Sequence, residues 1–487
     1  MGARHGSQYL DGLRDQREVW LDGERVVDVT TDQRLCGAAG SLAGLFDLQY
    51  AEPEVLLTED AESGQPVAIT HIIPRSVEDL VRRRHALESI ALVTLGWLGR
   101  SPDYLNVTMA GFAGREDVWR QNGNEQGAKR LVGFQREAML ADWSMTHAIV
   151  NPTVDKRQRE VDAGGGEVVL HKVGESAEGL VVSGARALAT LAPFADEMVV
   201  YPGQPIPRDA AAYALSFSVP MATPGLRILC RESHAATGNP ADHPFSSRFD
   251  EQDAVVIFDE VVVPWDRVFL DGDTDVYNKA MTTGWVANIM QQTTIRAHVK
   301  LRFAWELATR MAQALGSESS QVNEMLGELW SYTELTRSVI EAAEVGAHEW
   351  GNGVWFCDER PFRAIRPTLP KWFPRANEII KLLGAHSMLA TPNAAELANP
   401  ELRPLIERYY RGADDMSAAE RIAIFRTAWD FTGSALAGRG DLYERFYLAS
   451  SARMFQVAQM GAVRETDFSL VDGVIRAQTD AVPSPQS

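Results

Sequence analysis

The chain of 487 residues is 45% hydrophobic and 23% charged, ordinary globular composition with length for roughly two to four domains, each burying its own core. Its formal net charge of -19 argues against a protein that works by neutralising a nucleic-acid backbone, because that task needs an excess of Lys and Arg. Three scattered cysteines, Cys36, Cys230 and Cys357, spell neither a disulfide framework nor a CxxC metal site, and a reducing cytoplasm is expected.

Residues Met1 to Leu10 carry charge but no apolar core of a signal peptide, and no run of about 18 apolar residues follows, so neither secretion nor membrane insertion is expected. A short helical pattern at Tyr9, Leu10 and Leu13 leads into Val19-Trp20-Leu21-Asp22-Gly23-Glu24-Arg25-Val26, where Asp-Gly signals a hairpin because Gly accepts the positive φ of the turn. Up to residue 142 the period is mostly helical. Ser76-Val77-Glu78-Asp79 has capping-box spacing and opens a helix through Leu80, Leu87, Ala91 and Leu95, and further helices are expected over Asn106 to Phe112 and Ala128 to Ala141. From 143 to 271 short β-branched runs alternate with Gly, Pro and Asp: Val168 to Lys172, Gly179 to Ser183, Met198 to Tyr201, Tyr213 to Val219, Leu226 to Arg231 and Ala254 to Val263. They predict an antiparallel sandwich or barrel as a domain between helical ones. From 272 to 487 the helical period returns, with Met281 to Leu315, Gln321 to Trp350, Ala376 to Leu389 and Ala418 to Phe431 long enough for a four-helix bundle whose apolar faces a second subunit would cover. Ala481 to Ser487 reads as a disordered tail.

Familiar catalytic signatures are missing. Gly164-Gly165-Gly166 is a loop and not a Rossmann turn, no Walker A or HExxH occurs, and Gly433-Ser434-Ala435-Leu436-Ala437-Gly438 lacks the spacing of a nucleophile elbow. What stands out is Gly96 to Asn106. Ser101 reads as an N-cap, Pro102 as the first helical residue and Asp103 as a dipole partner, which brings Arg100, Tyr104 and a positive helix end into one small volume suited to an anion. An ordinary surface ion pair beside a half-buried Tyr would look the same. Taken alone, His147, at the junction of helical and β segments, fits a structural histidine better than a catalytic one; its place where clefts form is what singles it out.

Taken together the residues carry more. Tyr9-Leu10 through Asp28-Val29-Thr30, Gly99-Arg100-Ser101-Pro102-Asp103-Tyr104, Thr146-His147 with Asn151-Pro152, Gly184-Ala185-Arg186 through Thr190 and Ala195-Asp196-Glu197 occur in order. So do His243-Pro244-Phe245-Ser246-Ser247-Arg248, Phe258-Asp259 with Val263-Pro264-Trp265, and Gly438-Arg439 with Leu442-Tyr443-Glu444-Arg445. Over nearly its whole length the chain resembles the oxygenase component of the two-component 4-hydroxyphenylacetate 3-monooxygenase family.

The resemblance implies an α+β, acyl-CoA-dehydrogenase-like fold: a helical N-terminal domain (1–142), a central antiparallel β-barrel (143–271) and a C-terminal four-helix bundle (272–487) that assembles a homotetramer. It implies a flavin-dependent hydroxylation of a phenol ortho to its hydroxyl through a C4a-hydroperoxide, with dioxygen as co-substrate and FADH2 from a separate NAD(P)H-flavin reductase. By the same carry-over Arg100, Tyr104 and His147 contact the phenol, and His147, Ala148, Ile149, Thr153, Val154, Asp155, Lys156 and Thr190 line the FAD. Ser434, Ala435, Leu436 and Ala437 would complete the flavin site, although Ala435-Leu436-Ala437 departs from the family's more Gly- and Phe-rich loop. No metal is implied. The chemistry agrees: a phenolate is a far better nucleophile than a phenol of pKa ~10, so a site must favour the anion by charge or remove its proton.

The same fold also supports an iron-sulfur flavoprotein dehydratase acting on hydroxyacyl-CoA, which would need a close cysteine pair that Cys36, Cys230 and Cys357 do not offer. The substrate stays open between a free 4-hydroxyphenyl acid, a halogenated or nitrated phenol and a carrier-tethered tyrosyl unit. Tyr201 to Asp209 is a Pro-rich loop suited to a lid, with Arg208 a possible carboxylate contact.

Overall fold

A computed structural model describes residues 2–482; from 483 onward the expected disordered tail falls outside the described residues. The first turn of chain, helix Gly6–Gly12, leads into the hairpin Glu18–Leu21 and Glu24–Val26, with Asp22 and Gly23 both at positive φ. That hairpin does not stay with the N-terminal helices. Glu18–Leu21 pairs in parallel with Leu226–Cys230 and so extends a sheet built mainly from the middle of the chain.

Two open sheets replace the expected closed antiparallel barrel. The larger has six strands in the order Glu24–Val26, Glu18–Leu21, Leu226–Cys230, Asp253–Pro264, Gly179–Thr190, His171–Glu175. The smaller has four: Val268–Asp271, Leu215–Pro220, Glu197–Val200, Met145–His147. Both keep free edges, and each contains one parallel pairing, because Glu18–Leu21 and Met145–His147 enter from the helical segment rather than from a neighbouring hairpin. Asp253–Pro264 shows how a strand stays half buried along such a length. Ala254, Val256 and Phe258 face inward; a register shift with Glu260 at positive φ inserts extra residues, after which Val261 and Val263 face inward.

The helices around the sheets follow the sequence closely. Ser76 accepts the Asp79 N–H and starts the helix Val77–Thr94. Helix Pro102–Gly114 is buried at every residue from Asp103 onward, as a helix apolar on all sides must be. In the C-terminal part Trp285–Ala314, Ser320–Val345, Leu369–Leu389 and Ala418–Thr432 pack on one another. The expected helix to Trp350 stops at Val345; residues His348–Gly351 and Val354–Phe356 form a small hairpin turned by Asn352 and Gly353, both at positive φ. Helices Ala435–Phe446, Ser451–Glu465 and Ser469–Asp480 complete the described chain. One hydrophobic core runs from Tyr9 and Phe46 through Val256 and Phe258 of the sheet to Ile380 and Phe425, and a second surrounds Leu105, Met109 and Phe269.

Candidate active site

The position of Arg100 is set by the turn before it. Helix Val77–Thr94 ends with Leu95 and Gly96 both at positive φ, and the Gly96 carbonyl accepts from Arg296 Nη1 at 2.8 Å. A Cβ on Gly99 would collide with the Tyr443 hydroxyl, so only glycine lets the two segments meet there. The Arg100 N–H then donates to Glu251 Oε1 at 2.6 Å, and Pro102 opens the next helix. Ser101 occupies the N-cap but its side chain caps nothing; Asp103 is the acidic residue of the first turn and is buried there, with Gln292 Nε2 donating to it at 2.9 Å and burial pushing its carboxyl pKa up. The helix-start reading thus holds for the backbone and Asp103 and fails for the Ser101 cap.

Arg100, Tyr104 and His147 meet in a buried cluster. The Arg100 guanidinium lies 4.0 Å from the Tyr104 ring centroid, flanked by Tyr447 and Tyr443 at 5.4 and 5.8 Å. Its Nη1 donates to the Gly99 carbonyl and its Nε to His147 Nε2 at 3.4 Å, and no carboxylate lies within ion-pair distance among the described residues. Burial works against its charge, but Tyr104, Tyr443, Glu251 and Tyr201 outweigh it and hold the pKa above the ordinary arginine value. His147 is 5% exposed, and its Nδ1 lies 2.5 Å from the Tyr201 hydroxyl. Because Arg100 is donor-only, His147 Nε2 must accept and Nδ1 carry the hydrogen. Burial, then the Arg100 charge, pushes the imidazole pKa well below its usual range, so it is neutral.

A small cavity of about 30 Å³ beside this cluster is lined by Arg100, Tyr104, Ile289, Met290, Arg366 and Tyr447, among others. Arg366 donates through Nε to the Leu448 carbonyl at 3.1 Å, while its terminal nitrogens have no partner among the described residues. Burial lowers its pKa.

The residues expected to line a flavin divide into several places. Thr190 is next to His147, since Thr146 Oγ1 donates to the Thr190 carbonyl at 2.6 Å. The Thr190 hydroxyl donates to Asp253 Oδ1 at 2.9 Å, leaving its lone pairs free to accept. Ala148 is buried and continues the strand through its N–H to the Val199 carbonyl, and Ile149 is half-buried. Thr153, Val154 and Lys156 lie on an exposed loop, where Asp155 is taken up by Arg157. Ser434 caps helix Ala435–Phe446 by accepting the Ala437 N–H; Leu436 packs in the core and Ala437 is buried. Ala435 borders an open, mainly apolar groove of about 830 Å³, with Leu188, Asp253, Val255, Gly438 and Arg439. The Pro-rich loop is clasped by Asn278, which exchanges hydrogen bonds with Ile206, and its Arg208 faces Asp275 at 3.5 Å on the surface, away from Arg100.

Four contributors escaped the sequence: Tyr201, Glu251, Arg366 and Arg439. Tyr201 stood at the end of a predicted strand, and its parallel neighbour Met145–His147 gave only a short apolar signal. Glu251 and Arg366 had no motif at all. Arg439 belonged to a recognisable Gly-Arg pair that suggested no role.

Comparison with known proteins agrees with this architecture. A family model described as 4-hydroxyphenylacetate 3-hydroxylase N terminal matches residues 5–270, and its C-terminal counterpart matches 277–475. The 4-hydroxyphenylacetate 3-monooxygenase oxygenase component of Thermus thermophilus is 35% identical over 460 residues, 93% of each chain. The oxygenase component of a Rhodococcus 4-nitrophenol 2-monooxygenase is 34% identical over 454 residues, 91% of this chain and 85% of that one. A crystal structure of the oxygenase component of 4-hydroxyphenylacetate 3-monooxygenase, complexed with FAD and 4-hydroxyphenylacetate, superposes with a TM-score of 0.91 over 98% of both chains at 33% identity. A 4-hydroxybutyryl-CoA dehydratase from N. maritimus has a TM-score of 0.86 at 16% identity and shares the fold alone. This chain belongs to the 4-hydroxyphenylacetate 3-hydroxylase family.

Proposed function

We propose that this protein is the oxygenase component of a two-component monooxygenase that uses FADH2 from a separate NAD(P)H-dependent reductase to hydroxylate a phenol ortho to its hydroxyl. The observation that carries this reading is a buried Arg100 whose guanidinium has no carboxylate partner among the described residues, set against Tyr104 and a neutral His147. A fixed cation at such a site favours phenolate over phenol, by one to three pKa units when within about 4–6 Å. Tyr104 donates a hydrogen bond to the same oxygen, and His147 Nε2, whose lone pair here accepts from Arg100 Nε, would take the proton once that contact opens to the phenol. Tyr201 fixes the imidazole through Nδ1.

The groove bordered by Asp253 and Ala435 suits a planar ring system: its walls are mainly apolar, and Thr190 stands behind it, its hydroxyl bonded to Asp253. Thr190, Ala148, Ile149 and Ala435 would hold the isoalloxazine, with Thr153 to Lys156 supplying an exposed, partly basic loop for the rest of FAD. When bound as FADH2, the flavin activates dioxygen and supplies the oxygen atom. The residues here keep water out and hold the ring carbon of the phenolate toward it.

Among phenols, we favour one with an anionic group remote from the hydroxyl. Arg366 borders the same cavity as Arg100, is buried enough to lose basicity, and offers terminal nitrogens with no partner among the described residues. The cavity admits only about one or two waters as it stands, so substrate entry requires its walls to move. The domain division at residues 142 and 271, a bundle of the four long C-terminal helices, a homotetramer built through it and a cytoplasmic location belong to the same proposal. The deciding experiment supplies enzymatically reduced FAD with a panel of carboxylated, neutral and nitrated phenols and scores catechol against hydrogen peroxide. Catechol from the carboxylated members is expected; peroxide alone from every phenol would overturn the reading.

A further inference from the structure

Arg439, on helix Ala435–Phe446, is 9% exposed at its side chain and reaches two carboxylates, Glu251 and Asp253. Its Nη1 donates to Glu251 Oε2 at 2.8 Å, while Nε and Nη2 both donate to Asp253 at 2.7 Å. The other oxygen of Glu251 holds the Arg100 N–H at 2.6 Å. Asp253 in turn accepts the Thr190 hydroxyl at 2.9 Å, with Arg231 Nε as a further donor at 3.2 Å. The guanidinium plane is stacked 4.4 Å from the centroid of Tyr443, the ring that also flanks Arg100.

We propose that Arg439 is a positioning residue: by bridging Glu251 to Asp253 it holds Arg100 and Thr190 in register, and so sets how much flavin oxidation ends in hydroxylated phenol. It borders the apolar groove and not the cavity beside Tyr104, so it acts through its two carboxylates. The geometry demands arginine. Three nitrogens in one plane serve two carboxylates, and a lysine ammonium cannot span both. Charge gives the second reason. Without Arg439, Glu251 keeps a buried carboxylate already bonded to the Arg100 N–H, and pairing with that residue's guanidinium would neutralise the cation meant for the phenolate.

This inference rests on the roles proposed above for Arg100 and Thr190, and its test separates the two. A chromophoric phenol such as 4-nitrophenol is bound to the flavin-free protein, and its phenolate absorbance is titrated with pH. Reduced FAD is then added and product counted against peroxide. The wild-type protein is expected to lower the probe's apparent pKa. Arg439→Lys should give back about one unit of that shift and lower the product-to-peroxide ratio about tenfold, with a folded thermal transition. Asp253→Asn should leave the probe's shift in place but still lower the product-to-peroxide ratio and weaken flavin binding. If the wild-type protein does not shift the probe, the anion site itself is wrong. If it does, and Arg439→Lys keeps both shift and ratio, or Asp253→Asn removes the shift as fully as Arg439→Lys, Arg439 does not hold two separate walls.

Discussion

A cation buried without an ion-pair partner costs stability unless something else repays it, and among the described residues the Arg100 guanidinium has none. The aromatic rings of Tyr104, Tyr443 and Tyr447 supply part of the compensation, and an anionic substrate would supply the rest. Arg100→Gln and His147→Ala are therefore expected to lower catechol formation by about a hundredfold while FADH2 continues to be oxidised to peroxide, measured by product and peroxide assays on the same reaction. Unchanged hydroxylation in both would remove these residues from the chemistry. His71 yields a stability prediction of the opposite kind. It is fully buried, neither ring nitrogen has a hydrogen-bond partner among the described residues although Asp142 lies 3.9 Å from Nε2, and burial, then Arg4, lowers its pKa to about 3. The unfolded chain takes up a proton below about pH 6.5 and the native chain does not until about 3, so native stability falls as pH drops across that window. About 2 kcal/mol should be lost between pH 6.5 and 5 from this group, and His71→Leu should reduce the pH dependence of urea unfolding by that amount.

At the scale of elements, the site is made by close approach of backbones. Gly99 lies against Tyr443, and Gly111 of helix Pro102–Gly114 lies against Asn288, whose Nδ2 donates to the Val107 carbonyl at 2.7 Å. Gly99→Ala should push helix Ala435–Phe446 away from Arg100, lowering the free energy of unfolding measured by chemical denaturation by about 1–3 kcal/mol and product formation with it. A variant with wild-type stability and turnover would show that the contact tolerates a methyl group. Helix existence was readable from period and caps, as Ser76 with Asp79 shows. The parallel strand Met145–His147 was not, because three residues buried on both faces carry no alternation. The hairpin after Val345 was obscured by apolar residues that continue the helical pattern past Gly346, although Gly351-Asn352-Gly353 is a turn signal.

For the whole molecule, the C-terminal helices present surface that one protomer does not use. Helix Ser469–Asp480 has no buried residue, yet Leu470, Val471, Val474 and Ile475 are all apolar and exposed, and Phe455, Met460 and Val463 continue the patch on the helix before it. A second copy is the expected cover, so Leu470→Glu with Val474→Glu should reduce the assembly seen by light scattering while leaving the protomer's circular dichroism unchanged. A wild-type mass would overturn that expectation. The sequence by itself determined the helical, β and helical order of segments, the Arg100–Tyr104 helix start and the family, since caps, periods and ordered motifs are local in the chain. Only the tertiary structure decided that two open sheets take the place of a barrel, that Ser101 caps nothing, and that Glu251, Arg439 and Tyr201 stand behind Arg100 and His147. Those contacts join residues 54 to 188 positions apart, and no periodicity or spacing along a chain encodes a meeting of that range.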